Sequence, residues 1–154
     1  MTRKRKIMII SWIAVFLWML LIFYLSAQVA DESNNLSKGF TQVIISMIEK
    51  IAPNFEFDIN VFNHIIRKYA HFFVYMILGV LVLNALDRSG IYKFSWALMI
   101  CILYAISDEI HQAFVPGRGP GIKDVFIDTS GSIVGIMIYM VISKLIMGGK
   151  KYVG

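Results

Sequence analysis

The sequence is short of charge. Asp, Glu, Lys and Arg make up 16% of its 154 residues, against about 25% in soluble domains. That leaves too little polar surface to coat a globule in water. Cysteine is confined to Cys101, which excludes an internal disulfide and a Cys-based zinc centre and says nothing of redox compartment. Familiar catalytic strings are missing too. There is no HExxH, because Glu109 stands two residues before His111 and no second His follows at i+4. There is no GxSxG and no Gly-rich phosphate loop. Internal repeats, low-complexity tracts and an appended soluble domain are also absent from the sequence.

What the chain has is apolar length. Hydrophobic residues reach 58%, counting Tyr and omitting Gly; soluble domains hold about 45–50% even with Gly counted. Ile7 to Leu25 is a run whose only small polar member is Ser11. At 1.5 Å per residue it reaches about 28 Å, the thickness of a bilayer core. Arg3-Lys4-Arg5-Lys6 precedes it, as in a signal peptide. The run is too long for a cleaved signal, and Ser26-Ala27-Gln28-Val29-Ala30 is a poor cleavage site, so a retained span is expected.

Three more spans follow, about residues 69–86, 94–113 and 125–145. The third has an apolar part of only 14 residues, Phe94 to Ser107. It must continue through Asp108-Glu109-Ile110-His111-Gln112-Ala113 to cross. The fold class expected is therefore all-α: a polytopic membrane protein with four transmembrane helices in a single domain.

Four spans leave both termini on one side. Arg3, Lys4, Arg5, Lys6, Arg88, Lys93, Lys144, Lys150 and Lys151 share it. Lys38, Lys50, Arg67, Lys68, Arg118 and Lys123 lie opposite. This excess places the termini in the cytoplasm. The net charge of +5 thus reads as membrane topology, and nucleic acid is not an expected partner.

Two external segments remain. Residues 33–51 carry Leu36, Phe40, Val43, Ile44, Met47, Ile48 and Ile51 at helical spacing, with Lys38, Thr41, Gln42, Glu49 and Lys50 off the stripe. An amphipathic helix on the outer leaflet or against the bundle is expected, ended by Pro53. Asp58 or Asn60 can cap a helix that runs straight into the second span. The other segment, Phe114 to Gly121, is a tight Pro/Gly loop.

The unusual polar residues gather at the outer ends of the spans. His64, Lys68, His71 and Tyr75 share one face of the second helix. Asp108, Glu109, His111 and Gln112 end the third, Arg118 sits in the loop, and Asp124 and Asp128 are one turn apart at the start of the fourth. Ionisable groups at membrane depth mark function by default. Each also has a plain reading. Lys68 can snorkel to headgroups, His71 can bond a neighbouring helix, and Asp124 can be the N-cap of the fourth helix. Gly131 and Gly135 form a GxxxG pair, a helix-packing signal. His71, His111, Asp108, Glu109, Asp124 and Asp128 offer nitrogen and oxygen donors for a divalent metal. No fixed metal spacing is present, so metal and cofactor stay open. The same groups could instead polarise a phosphate or a peptide bond.

These residues also resemble a family. Phe23-Tyr24-Leu25-Ser26-Ala27-Gln28 is similar to the F-x-x-S-S-Q helix end of the VanZ-like membrane proteins, named for a teicoplanin-resistance protein. Arg67-Lys68-Tyr69-Ala70-His71-Phe72-Phe73-Val74-Tyr75-Met76-Ile77-Leu78-Gly79 resembles their R-K-x-x-H-F-x-x-Y-x-x-L-G. Tyr104 through Asp108-Glu109-Ile110-His111-Gln112 to Pro116-Gly117-Arg118 resembles Y-A-x-x-D-E-x-H-Q-x-F-x-P-G-R. Asp124 to Gly131 resembles D-V-x-x-N/D-x-x-G. Ala27 departs from a Ser, and Asp128 takes a position often Asn. The resemblance implies a small bacterial membrane protein of the cell envelope, in some members linked to glycopeptide resistance, and supplies no reaction.

The expectation is an outward-facing polar pocket that binds, with or without chemistry, an anionic envelope lipid or a glycopeptide. Lys68 and Arg118 would hold anionic oxygens, and Tyr75, Gln112, Asp124 and Asp128 would line the pocket. His71, His111, Asp108 and Glu109 are the acid–base or metal-ligand candidates. The alternative is a non-enzymatic protein whose polar cluster locks the helices together. Transport is weaker, because the polar groups sit at one end instead of along the midplane.

Overall fold

Four long helices form the body of the computed structural model, which describes residues 2–28, 39, 42–48, 50, 59–86, 92–119 and 121–149. They are α1 (Arg3–Ser26), α2 (Ile59–Ala85), α3 (Tyr92–Gln112) and α4 (Ile122–Gly149). At 24, 27, 21 and 28 residues they reach about 32–42 Å, enough to cross a bilayer core. All four are apolar enough to do so. The expected all-α, four-span fold is what the chain adopts. Of the amphipathic helix expected over 33–51, residues 39, 42–48 and 50 are described, and 39 and 42–48 are helical; the rest lies outside the described residues.

The surface argues for lipid as solvent. Large apolar side chains stand exposed around the bundle, among them Ile10, Phe16, Leu103, Phe126 and Leu145. Patches of this extent are foreign to soluble monomers. Meanwhile Ser26, Asp108, Glu109, Gln112, Asp128 and Ser132 are buried. Polar groups inside and apolar groups outside is the arrangement hydrocarbon favours.

Without a hydrophobic drive between helices, close packing needs small residues. The face of α3 turned inward carries Ala97, Cys101 and Ala105, all fully buried. Between α2 and α4 the approach is closer still. A Cβ built on Gly131 or Gly135 would overlap the carbonyl of Phe72 or Met76, and one on Gly79 would overlap that of Ser132. Buried Tyr75, Leu78, Val82 and Ile136 fill the seam with Val15 and Ile22 of α1.

Polar stitches cross the bundle. Trp18 Nε1 donates to the Val74 carbonyl at 2.8 Å, and the Tyr104 hydroxyl to the Met19 carbonyl at 2.5 Å. Asn84, which interrupts the second apolar run, donates to Ser11 Oγ at 3.2 Å and accepts from the Tyr139 hydroxyl at 2.9 Å. Its amide therefore ties α1, α2 and α4 at the end that carries the chain terminus.

At the opposite end the chain turns from α3 into α4. The Arg118 N–H donates to the Val115 carbonyl at 3.1 Å, and Gly117 between them has φ 77. With Pro116 ahead of it this is a type II pattern, and the positive φ explains why glycine stands there. The turn fixes the direction in which Arg118 leaves the backbone. α4 begins at Ile122, so the N-cap expected at Asp124 falls to Gly121. Asp124 sits in the first turn instead, where a carboxylate faces the positive end of the helix dipole.

Candidate functional site

The polar residues from α1, the start of α2, the end of α3, the loop and the start of α4 meet at this second end. They divide into a closed layer and an open one.

The closed layer centres on Asp108, 2% exposed. Its Oδ2 accepts from Ser26 Oγ at 2.8 Å, Gln112 Nε2 at 3.2 Å and the Tyr75 hydroxyl at 3.4 Å. Gln112 Nε2 also reaches Ser26 Oγ at 3.4 Å, while its Oε1 accepts from Arg118 Nη1 at 3.3 Å. One carboxylate thus gathers α1, α2 and α3, and Gln112 extends the chain to the loop. Glu109, also buried, accepts the Gly121 N–H. That satisfies a donor at the mouth of α4 and docks α3 on the next helix. Lys68 of α2 pairs with Asp124 of α4.

The open layer is a cavity of about 200 Å³. From α2 it is lined by His64, Arg67, Lys68 and His71; from α4 by Asp124, Ile127 and Asp128; and by Gln112, Gly117, Arg118 and Gly119. Among the described lining residues three cations face two carboxylates, a formal excess of one positive charge with the histidines neutral. Burial, then the neighbouring Arg67 charge, lowers the Arg118 pKa from its ordinary value, with Asp108 and Glu109 working the other way. Two guanidinium groups thus stand close enough to influence each other.

At the cavity floor, His71 Nδ1 stands 3.7 Å from Asp128 Oδ1, an ion-pair distance too long for a hydrogen bond. Asp128 is 1% exposed. Ligand atoms of His71, Asp108 and Asp128 all lie within 4.8 Å of one another.

A second, apolar groove of about 550 Å³ runs between α1 and α2. Ile22, Leu25, Ile66, Phe73 and Val74 line it, and Ile44 from helical residues 42–48 joins them. Arg67, His71 and Arg118 line both spaces.

Of the ten sequence candidates, nine take part in the two layers: Lys68, His71, Tyr75, Asp108, Glu109, Gln112, Arg118, Asp124 and Asp128. His111 stands apart. Its ring stacks on Phe23 with centroids 4.1 Å apart, and it does not line the cavity. Three further residues join. Ser26 is the nearest hydrogen-bond donor to Asp108, Arg67 lines both spaces, and His64 lines the rim, where Arg67 Nη2 lies 3.5 Å from its Nδ1. Their helical spacing held the signal: His64 is four residues from Lys68, and Arg67 four from His71.

A VanZ/LLP1 family model matches residues 11–143. The chain belongs to the VanZ/LLP1 family. No curated protein and no solved structure matches it. This VanZ/LLP1 chain is a multi-pass membrane protein, and nine of the polar residues in the motifs that carry the family resemblance meet at one end of its bundle.

Proposed function

We propose that this VanZ/LLP1 protein binds the anionic headgroup of a lipid at the outer face of the cell membrane. The observation that carries the reading is the sharing of Arg67, His71 and Arg118 between the basic cavity and the apolar groove. A phosphate-bearing headgroup fits the first and its hydrocarbon chain the second. The chain is already in the bilayer, so the ligand enters sideways without crossing water. A cavity of about 200 Å³ is smaller than the 300–1,000 Å³ that drug-sized ligands occupy. It suits a headgroup and not a whole glycopeptide. Any effect on glycopeptide resistance then comes from holding an anionic lipid at the surface where the antibiotic acts.

The basic excess on the terminal side supports the orientation. In intact cells, Arg118→Cys should react with a membrane-impermeant maleimide and Arg88→Cys should not. Labelling of position 88 from outside overturns the topology.

The binding test uses protein purified in a neutral detergent. A short-chain phosphatidate should raise the melting temperature, and the matching phosphatidylcholine should not. Arg67→Ala and Arg118→Ala should each weaken the phosphatidate response about tenfold or more, since a charge-assisted hydrogen bond contributes about 1.5–3 kcal/mol. Equal responses to both lipids overturn the reading.

The second reading, an interhelical lock without a ligand, draws on the Ser26–Asp108–Gln112–Arg118 chain and the Lys68–Asp124 pair. Those contacts account for the closed layer. They leave a basic cavity for which a lock has no use.

A further inference from the structure

We infer that His71, Asp108 and Asp128 form a divalent metal site of the zinc or manganese class at the floor of the cavity. His71 Nδ1, Asp108 Oδ1 and both carboxylate oxygens of Asp128 are shut from solvent and find no hydrogen-bond partner among the described residues. An orphaned buried polar atom is expensive, and a charged one more so. The three residues that carry these atoms stand on three different helices, and each offers one ligand atom within 4.8 Å of the others'.

Depth agrees with convergence. His71 is seven residues into the span that begins at His64, and Asp128 six into the one that begins at Ile122. Asp108 lies four residues before the span end at Gln112. Each is therefore about 6–11 Å inside the same end of the bundle. Two carboxylates at that depth, 2% and 1% exposed, with one histidine beside them, form a donor set that a bound cation would stabilise.

The surroundings of Asp108 are those of a metal ligand. Oδ2 is held by Ser26, Gln112 and Tyr75, which orients the carboxylate, and Oδ1 is left without a partner among the described residues. Outer-shell bonds of this kind orient ligating carboxylates in metal sites. Donors about 2.1 Å from a tetrahedral ion stand about 3.4 Å apart. The present set closes onto an ion with shifts of under about 1 Å per group. One nitrogen and two oxygens match zinc or manganese better than calcium, which takes six to eight oxygens. Three protein ligands leave an open position. His71 and Asp128 also line the cavity, so that position faces the space where an anionic oxygen would sit.

The test needs no lipid, so it succeeds or fails independently of the headgroup reading. Full-length protein in neutral detergent is stripped with a chelator, then given zinc or manganese and desalted. Elemental analysis should show about one equivalent per chain, and the metal should raise the melting temperature of the stripped protein. Asp128→Asn should lower metal affinity at least tenfold. Ser26→Ala removes no ligand and takes away only the shortest of the three bonds to Asp108 Oδ2; it should weaken binding about tenfold, as loss of outer-shell support does in metal sites. If Asp128→Asn does not fold, the wild-type and Ser26→Ala arms still decide. Stripped wild type that takes up neither metal, or whose melting point ignores both, overturns the site. So does Ser26→Ala or folded Asp128→Asn with wild-type affinity.

Discussion

Gly135→Val should separate α2 from α4 and destabilise the bundle by about 3 kcal/mol or more. Ordinary overpacking in a core costs about 1–3 kcal/mol, because side chains can shift rotamers to make room. Here the obstacle is not a side chain. The atoms in the way are the carbonyl, C and Cα of Met76, so the helix itself must move. Gly131 meets Phe72, and Gly79 meets Ser132, in the same manner. Movement at Gly135 therefore loosens the whole seam, including Ser132 Oγ, which donates to the Tyr75 carbonyl at 3.3 Å. Gly39 is the control: a Cβ there meets nothing within 4 Å. Gly39→Ala should stay within about 0.5 kcal/mol of wild type. Unfolding curves in mixed micelles compare the two. A Gly135→Val protein as stable as Gly39→Ala would show that the α2–α4 seam is not where the bundle is held.

That glycine pair was legible in the sequence because GxxxG at four-residue spacing has one dominant physical cause. The four spans were legible for the same kind of reason: bilayer thickness fixes a length, and apolar runs either meet it or do not. The third span shows the rule at its edge, since α3 reaches through Asp108 and Glu109 to Gln112. Asp124 was less legible. An acidic residue near a helix start fits either the cap or the first turn, and only the position of Gly121 and the pull of Lys68 decide between them. His111 was misleading in another way. It sits among charged residues in sequence, yet at three residues from Asp108 its ring is rotated towards α1 and stacks on Phe23. Helical neighbours share a face only approximately, and a neighbouring aromatic settles the rest. Ser26 carries no charge, so composition gave it no weight, although its hydroxyl donates to the most connected carboxylate among the described residues. The sharing of Arg67 between a basic cavity and an apolar groove has no sequence signature at all. It depends on how α1 and α2 diverge.

The division into layers yields a contrast within one site. Asp108→Ala should destabilise the protein by about 2–4 kcal/mol. Three donors, from Ser26, Gln112 and Tyr75, lose their acceptor together. A hydrogen bond to a charged group contributes about 1.5–3 kcal/mol in soluble proteins and an interhelical bond in a membrane nearer 0.6. Two of these three are longer than 3 Å, so the sum falls well short of three full bonds. Arg67→Ala should do the opposite: little change in melting temperature, and a large loss of phosphatidate response. His111→Ala separates the readings further. It removes the stack on Phe23, worth about 0.5–1.5 kcal/mol beyond its area, and leaves the cavity lining as it was. Its lipid response should therefore match wild type once a small drop in stability is allowed for. Melting curves and phosphatidate titrations on the three variants make the comparison. A pure lock requires any lipid response to track the folded fraction in all three variants. If Arg67→Ala melts as low as Asp108→Ala, the open layer is part of the lock, and the cavity holds nothing.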